Sequence, residues 1–555
     1  MLGGGRWTGL AGKRRPTVPR FANVSRPGTG CFFGPFQTGK RAGPYQQGEQ
    51  SRFRGLRREN QDHPHERLPP FLIRKRSCFM RIFFPLVLAA LSLAASPALA
   101  AKNIILFIAD GSGFNSWRAA SMYEGKWDAA RQRTTQVYDE PRWVQYACTT
   151  YPLNLSKRPT GKLEQDPALR YDPAKAWDPS PLSKPGEGAF AGYAYLKQGA
   201  TDSAAAATAM ATGEKTYNNA INWSVVDQPF SGRTIAEIAK ARGRAVGVVS
   251  SVPWSHATPA GLGGAHNAER DQYREIANEM LDAPYLDVIM GAGNPDFDDN
   301  GQPAKKKADY VGGPETWEQL KQGKHPKGWR LIQGKDEFEA LAATPPPNLF
   351  KLLGVPQVNS TLHQARGKYH KDDTPFSQPL NANVPTLTTM TKAALNTLAR
   401  GPNGFFLMVE GGAVDWANHA NQSARAIEEQ VDFHHAIQAV VDWVEKHSDW
   451  DETLVICTAD HETGLVWGKQ SGTVAFDPVV DRGKGKVPDL RYHSSSHTNS
   501  LVPLVARGAG AEQFAKLVRG VDAVAGKHWG FSGQFVDNTD VFKVMSSALN
   551  DRPAR

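Results

Sequence analysis

Four short apolar runs limit the architectures open to this chain. Ala101–Ala109 reads AKNIILFIA and ends at Asp110-Gly111-Ser112-Gly113, and Ala245–Ser251, Gly404–Val409 and Thr453–Cys457 are built alike. Such runs read as strands buried on both faces. Helical patterns lie between them, at Thr234–Arg242, Arg270–Leu281, Thr386–Ala399 and Ser423–His447. The alternation predicts an α/β fold with a largely parallel central sheet flanked by helices. Sites in such sheets form beyond the carboxyl ends of the strands, and the acidic motifs of this chain follow those ends. Two segments interrupt the pattern. Pro152–Gly199 is rich in Pro, Lys, Asp and Tyr, and Pro295–Pro385 contains Lys305–Lys307 and Pro345–Pro347. Both are expected to be insertions, as surface loops or subdomains over the active face. The lysine run reads as solvated surface. Neither an internal repeat nor a coiled-coil heptad is present.

At 555 residues the chain can hold more than one domain, or one large α/β domain with insertions. Its net charge of +10 suggests nucleic acid or membrane until its distribution is considered. Residues 1–100 carry 17 of the 65 Lys and Arg but only 4 of the 55 Asp and Glu, leaving 48 basic against 51 acidic. The basicity therefore says nothing about the partner of the folded part, and no nucleic-acid-binding module is expected. Residues 1–79 are rich in Gly, Arg, Pro and Gln and lack a sustained apolar period, so no packed core is expected there. From Met80 runs MRIFFPLVLAALSLAASPALA: an arginine, the apolar stretch Ile82–Ala95, then Ala98-Leu99-Ala100. This is the plan of a secretory signal peptide over 80–100. Its apolar part is shorter than the roughly 20 residues that span a bilayer, so cleavage rather than a stable anchor is expected. Met80 is the expected start, 1–79 an extension translated in error, and Ala101 the mature N-terminus of a catalytic domain over 101–555. The protein is then exported, to the periplasm or the medium. Cys31 and Cys78 precede the cleavage site, which leaves Cys148 and Cys457. A pair is open to them in an exported protein, although the apolar run Leu454–Cys457 favours a buried thiol for the latter. The chain has no CxxC and no thiolate metal site.

The chemistry is carried elsewhere. Gln198–Thr208 reads QGATDSAAAAT, with Thr201 and Asp202 before Ser203 and an alanine-rich segment after it. A helix beginning here holds Ser203 at or next to its N-cap, facing free N–H groups and the positive end of the helix dipole. That suits a nucleophile that must become an alkoxide and carry a phosphoryl group. An ordinary capping serine explains the same residues when they are taken alone. Around it stand ligand-type residues: Asp110 after the first run; Glu410, Asp415 and His419 in VEGGAVDWANH; Asp460 and His461 after TLVICTA; His497 in SSSHTN; His256 and Thr258 in WSHATPAG. The spacing of four between Asp415 and His419 puts both on one helical face, and an irregular loop can converge them too. Such a set suits ions bound by oxygen and imidazole: zinc takes Asp and His, magnesium prefers carboxylate, hydroxyl and water. Singly, each has an ordinary account as a turn cap, a core histidine or an ion-pair partner.

Taken together, the motifs resemble a known family. TDSAAAATAMATGEKTYN is similar to the nucleophile segment of alkaline phosphatases, and FIADG, HATPAG, VEGGAVDWANH, TADHETG and SHTN follow in that family's order. The resemblance runs from Lys102 to Met545 and includes DNTDVF. It implies Ser203 as nucleophile, one zinc on Asp415, His419 and His497, and a second on Asp110, Asp460 and His461. Asp110 would bridge toward a third site, usually magnesium, made by Thr258 and Glu410 with His256 close by. Arg270 in GGAHNAERDQY would clamp phosphate, which requires one extra residue after HATPAG. His256 stands where some members carry aspartate, and Trp416 where some carry lysine or histidine; both bear on magnesium occupancy and phosphate affinity. The implied activity is hydrolysis of phosphate monoesters through a phosphoserine, with broad substrate acceptance, an alkaline optimum and a homodimeric state. A metal-dependent phosphodiesterase of the same superfamily is the alternative. A sulfatase is disfavoured because TDSAAAA is not a CxPxR-like or SxPxR-like setting, and an exported phosphate- or metal-capturing protein would not need the serine with the metal set.

Overall fold

The structure, a computed structural model, describes residues 101–183 and 189–550. The expected extension 1–79 and the expected signal peptide 80–100 lie outside the described residues. An 11-stranded sheet forms the centre. In chain order its strands are β1 (Asn103–Ile108), β2 (Val144–Thr149), β3 (Ala245–Pro253), β4 (Val288–Ala292), β5 (Arg330–Ile332), β6 (Leu352–Gly354), β7 (Phe405–Glu410), β8 (Thr453–Thr458), β9 (Val502–Gly508), β10 (Gly520–Val521) and β11 (Gln534–Asp537). Across the sheet they lie in the order β10-β11-β2-β9-β8-β1-β7-β3-β4-β6-β5. Every neighbouring pair from β8 to β5 is parallel, as is β2 with β11. The antiparallel pairs are β8 with β9, β9 with β2, and β10 with β11.

The unbroken apolar character of the central strands has a direct cause. In β1, Ile104, Leu106 and Ile108 enter one core cluster, while Ile105 and Phe107 enter another on the opposite face. Each such side chain contributes about 1.5–3 kcal/mol on burial, so neither face tolerates a polar alternation. The helices that matter are α1 (Ser203–Thr212), α2 (Ile235–Ala241), α3 (Ala257–Leu262), α4 (Tyr273–Asp282), α5 (Leu387–Leu398), α6 (Ala413–His419), α7 (Ser423–His447) and α8 (Asn538–Asn550). Residues of α1 to α4 and α8 pack into the first cluster, and those of α5 and α7 into the second. Local signals set the ends: at α2 the Thr234 hydroxyl accepts the Glu237 N–H at 3.3 Å, and the Glu237 carboxylate accepts the Thr234 N–H at 3.1 Å.

Two expectations need correction. The helix expected from Arg270 begins at Tyr273, because the Arg270 N–H donates to the Asn219 carbonyl at 2.9 Å and ties that residue to another loop. The segment 295–385 is more than a surface insertion. It supplies β5 and β6, which continue the parallel sheet beyond β4. Strands of three residues carry no readable period, which is why this edge escaped the pattern. The segment 152–199 contributes Ala176, Phe190, Tyr193 and Leu196 to a small aromatic cluster with Leu465, Trp467 and Phe476. Cys148 in β2 and Cys457 in β8 are buried free thiols separated by β9, so the pairing left open by the sequence is not made. Among the described residues, no helix is long and apolar enough to cross a membrane.

Candidate active site and metal centre

Register brings the acidic motifs to one edge. Ile108 at the end of β1 pairs with Glu410 of β7 on one side and Thr458 of β8 on the other. Asp110 and Asp460 therefore emerge side by side, two residues past their strands, with Glu410 at the end of its own. Gly111 makes the turn possible. Its φ is +66°, and a Cβ there would lie 2.5 Å from Asp415 Oδ1.

Ser203 is the first residue of α1, whose N-cap is Asp202. The Asp202 carboxylate accepts the Ala205 N–H at 3.0 Å, the Asn219 N–H at 2.9 Å and the Arg270 guanidinium at 3.1 Å. One aspartate thus caps the helix and aims the arginine. Burial works to lower the Arg270 pKa, but the charge and hydrogen bond of Asp202, with Tyr273 and Asp110, together offset it and the value rises. Ser203 Oγ lies 3.2 Å from His461 Nε2. An open cavity of roughly 440 Å³ is lined by Ser203, His256, Arg270, Asp415, Trp416, His419 and His497.

Two ligand clusters converge beside the serine. Asp110, Asp460 and His461 form one, with His461 Nε2 3.6 Å from Asp110 Oδ1 and 3.1 Å from Asp460 Oδ2. Asp415, His461 and His497 form the other, and His419 joins it, its Nε2 being 3.3 Å from Asp415 Oδ2 and 3.1 Å from His497 Nε2. His461 belongs to both. The pairing of Asp415 with His419 arises because both lie on the short helix α6. The far nitrogens of the imidazoles are tied down: His497 Nδ1 is 2.8 Å from the Thr201 carbonyl, and His419 Nδ1 is 2.7 Å from that of Ser495. Carbonyls accept only, so each Nδ1 carries a proton and donates it, which turns each Nε2 toward the cluster. Thr463 donates its hydroxyl to Asp415 Oδ1 at 2.6 Å.

The third set is placed differently. Glu410, Thr258 and His256 join neither cluster. Glu410 Oε1, Thr258 Oγ1, His256 Nδ1 and both oxygens of Asp110 are buried without a hydrogen-bond partner. Buried orphans are rare in folded proteins and ask for an absent partner. Electrostatics points the same way. Burial, then Asp460, Asp415 and Glu410, push Asp110 well above the usual carboxylate range, and burial raises Glu410 to about 7. Asp415 is equally buried, yet the His419 hydrogen bond and the nearby His497 and His461 hold it low; His419 in turn rises to about 9. Burial and Arg270 lower His256 to about 3, leaving it neutral. Crowded carboxylates driven toward neutrality, with orphaned oxygens, are a donor set that divalent cations fit.

The family model described as alkaline phosphatase matches residues 187–481. The chain belongs to the alkaline phosphatase family. Alkaline phosphatase 3 of Bacillus subtilis is 33% identical over 273 residues, which cover 48% of this chain and 50% of that relative. Alkaline phosphatase of Escherichia coli is 29% identical over 482 residues, covering 81% and 86%. The match therefore spans about half the length of the first relative and most of the second. In fold, the chain is similar to alkaline phosphatase from Thermus thermophilus, with a TM-score of 0.53, 20% identity and coverage of 85% and 96%. It is also similar to the cold-active alkaline phosphatase of a Shewanella species, at 0.52, 24%, 80% and 99%. The family is metal-dependent, in keeping with the two ligand clusters. Sequence reasoning overlooked Asp202, Thr463 and the carbonyls of Thr201 and Ser495. Asp202 was legible as a helix cap beside Ser203, but its hold on Arg270 had no signal in the chain.

Proposed function

We propose that this alkaline phosphatase family member hydrolyses phosphate monoesters through a phosphoserine on Ser203. The observation that carries the reading is Ser203 Oγ 3.2 Å from His461, which belongs to both carboxylate–imidazole clusters, in a cavity that Ser203 shares with Arg270, Asp415, His419 and His497. Asp415, His419 and His497 are the proposed ligands of one zinc, and Asp110, Asp460 and His461 of the other. Thr258 and Glu410, with Asp110 bridging and His256 close by, are those of a magnesium. When bound, these ions supply Lewis acidity toward the serine, the leaving oxygen and the hydrolytic water.

The rest falls to the chain itself. Ser203 Oγ forms a bond to phosphorus as the ester oxygen departs with its alcohol, and water later cleaves the phosphoserine to release phosphate. The N-terminus of α1 favours negative charge at Ser203 by about 0.3–1 kcal/mol, more where the site is dry. Arg270 presents its planar fork to two nonbridging oxygens, and Asp202 keeps that fork aimed. Nothing in this scheme grips the alcohol, so acceptance of monoesters is broad. Export through residues 80–100 and assembly as a homodimer belong to the same reading, the first supported by the Met80–Ala100 pattern and the second by family resemblance alone.

The test compares 4-nitrophenyl phosphate with bis(4-nitrophenyl) phosphate, before and after chelation and with zinc and magnesium restored. Metal-dependent turnover with strong monoester preference is expected. Diester preference would shift the function to a phosphodiesterase, and no turnover by the metal-loaded protein would leave capture without catalysis.

A further inference from the structure

Ser250 stands beside Glu410 across the β3–β7 ladder, the two being paired in register. Its hydroxyl is in hydrogen-bond contact with Glu410 Oε2 and also accepts the Val252 N–H at 3.0 Å. A hydroxyl has one proton. The amide occupies a lone pair, so that proton is left to point at the carboxylate. Glu410 Oε2 is thereby engaged. Oε1 makes no hydrogen bond of ordinary length, nor does the hydroxyl of Thr258, the other hydroxyl that favours the charged form of this carboxyl group. Neighbouring Ser251 serves another element, its Oγ accepting the Ala413 N–H at 3.1 Å where α6 begins.

We propose that Ser250 is a positioning residue that limits Glu410 to one donor oxygen, Oε1, and so adapts the third cation site to a small six-coordinate ion. The inference rests on the third site of the proposed function. Its chemistry is that of denticity. Magnesium demands a near-ideal octahedron, keeps several waters and takes carboxylates one oxygen at a time, whereas calcium accepts bidentate carboxylates and irregular shells. A glutamate with both oxygens free can rotate and chelate. With Oε2 held by a serine whose own orientation is fixed by a backbone amide, turning into a chelating pose costs that hydrogen bond and is disfavoured. Ser250 therefore contributes both affinity for magnesium and discrimination against calcium.

The experiment uses the full chain, loaded with zinc, as wild type and as Ser250→Ala, Ser250→Cys and Ser250→Thr. Binding of Mg²⁺ and Ca²⁺ is measured by calorimetry, Mn²⁺ serves as a spectroscopic stand-in by electron paramagnetic resonance, and zinc content is measured on the same samples. Loss of a partner behind a ligand costs roughly 10–100-fold in metal affinity, so Ser250→Ala should raise the Mg²⁺ dissociation constant by that factor. The Mg²⁺/Ca²⁺ preference should fall with it, zinc should stay at two per chain, and Ser250→Thr should restore both. Ser250→Cys keeps most of the volume with a weaker donor and should show the same shift, which covers the case of an alanine variant that does not fold. A merely structural serine would lower thermal stability without moving the Mg²⁺/Ca²⁺ ratio. An unchanged ratio and an affinity within about twofold of wild type, in either variant, would overturn the proposal. Failure of the underlying reading is distinguishable, since the wild type would then bind no third ion at all.

Discussion

Arg366, Arg425 and Glu428 are as deeply buried as Asp110, Glu410 and Asp460, yet the two groups treat their charge in opposite ways. Glu428 Oε2 lies 2.9 Å from the Arg366 guanidinium and 3.0 Å from that of Arg425, and its Oε1 accepts the Phe376 N–H at 2.6 Å. Arg366 spends its remaining N–H groups on the carbonyls of His363, Gln378 and Pro379. The carboxylate there is answered from within the chain, and the cluster clamps α7 to the loop before α5. At the carboxyl ends of β1, β7 and β8 the carboxylates face one another, and burial, then Asp460, Asp415 and Glu410, raise the pKa of Asp110. Burial alone therefore does not mark a functional cluster. Among the described residues, the buried carboxylate oxygens without a hydrogen-bond partner belong to Asp110, Glu410 and Asp460, and these do mark one.

The largest effect that tests this contrast is Ser203→Ala. If turnover belongs to the open cluster, kcat for 4-nitrophenyl phosphate falls by at least about a thousandfold while the metal content is unchanged. Nearly wild-type activity would remove the nucleophile. The counterpart in the closed cluster is Glu428→Ala, which strands two buried guanidinium groups. It should cost about 3–5 kcal/mol in stability, read by denaturant unfolding, without changing the zinc content of the folded fraction.

A sign reversal sharpens the comparison further. Asp110→Asn removes a carboxylate whose pKa is raised by burial first and then by Asp460, Asp415 and Glu410. The metal-loaded variant should melt below the loaded wild type, because a ligand is lost. After chelation the order should invert, the variant melting above the wild type by a few degrees. The same order in both states would mean that Asp110 is held by contacts within the protein, as Glu428 is.

How much of this was legible follows from where each signal lives. β1, β3, β7 and β8 could be read because strands covered on both faces must be apolar throughout, and the proposed ligands stand where those runs stop. α7 was legible from Ser423 to His447 because its buried positions, among them Ile427, Val431, Phe433, Ile437 and Val444, recur at helical spacing. β5 and β6 were not, since three residues hold no period and their place is fixed by pairing with a distant strand. In the site, residue types and order were enough to nominate the ligands. The sharing of His461 between two clusters, and the linkage of Asp202 to Arg270, depend on residues tens to hundreds of positions apart and on loops whose course only the folded chain reveals.

A smaller effect concerns substrate grip. Arg270→Lys keeps the positive charge but loses the fork, so KM for the monoester should rise roughly 10-fold or more with a lesser change in kcat. An unchanged KM would assign phosphate binding to other groups. Asp202→Asn should shift KM in the same direction by less, since the arginine remains and only its aim is loosened.

The smallest effect lies at the margin of the closed cluster, where satisfaction is imperfect. Glu429 neighbours Glu428 and is pushed up to about 8 by burial first, then by Asp432 and Glu428, with Arg366 and Arg425 opposing. An acid whose folded pKa exceeds its ordinary value of 4.5 keeps its proton in the folded state over a window in which the unfolded chain has lost it. Stability then declines as pH climbs from about 4.5 to about 8 and stays reduced above that, because the unfolded state binds fewer protons throughout the window. Glu429→Gln removes the liability. Measured against wild type in the same metal buffer, so that the open cluster contributes equally to both, the variant should gain roughly 2–4 °C in melting temperature at pH 9 and nothing at pH 5. An equal gain at both values would mean that Glu429 is ionised in the folded protein across the whole range, and that the closed cluster absorbs a second carboxylate as completely as the first.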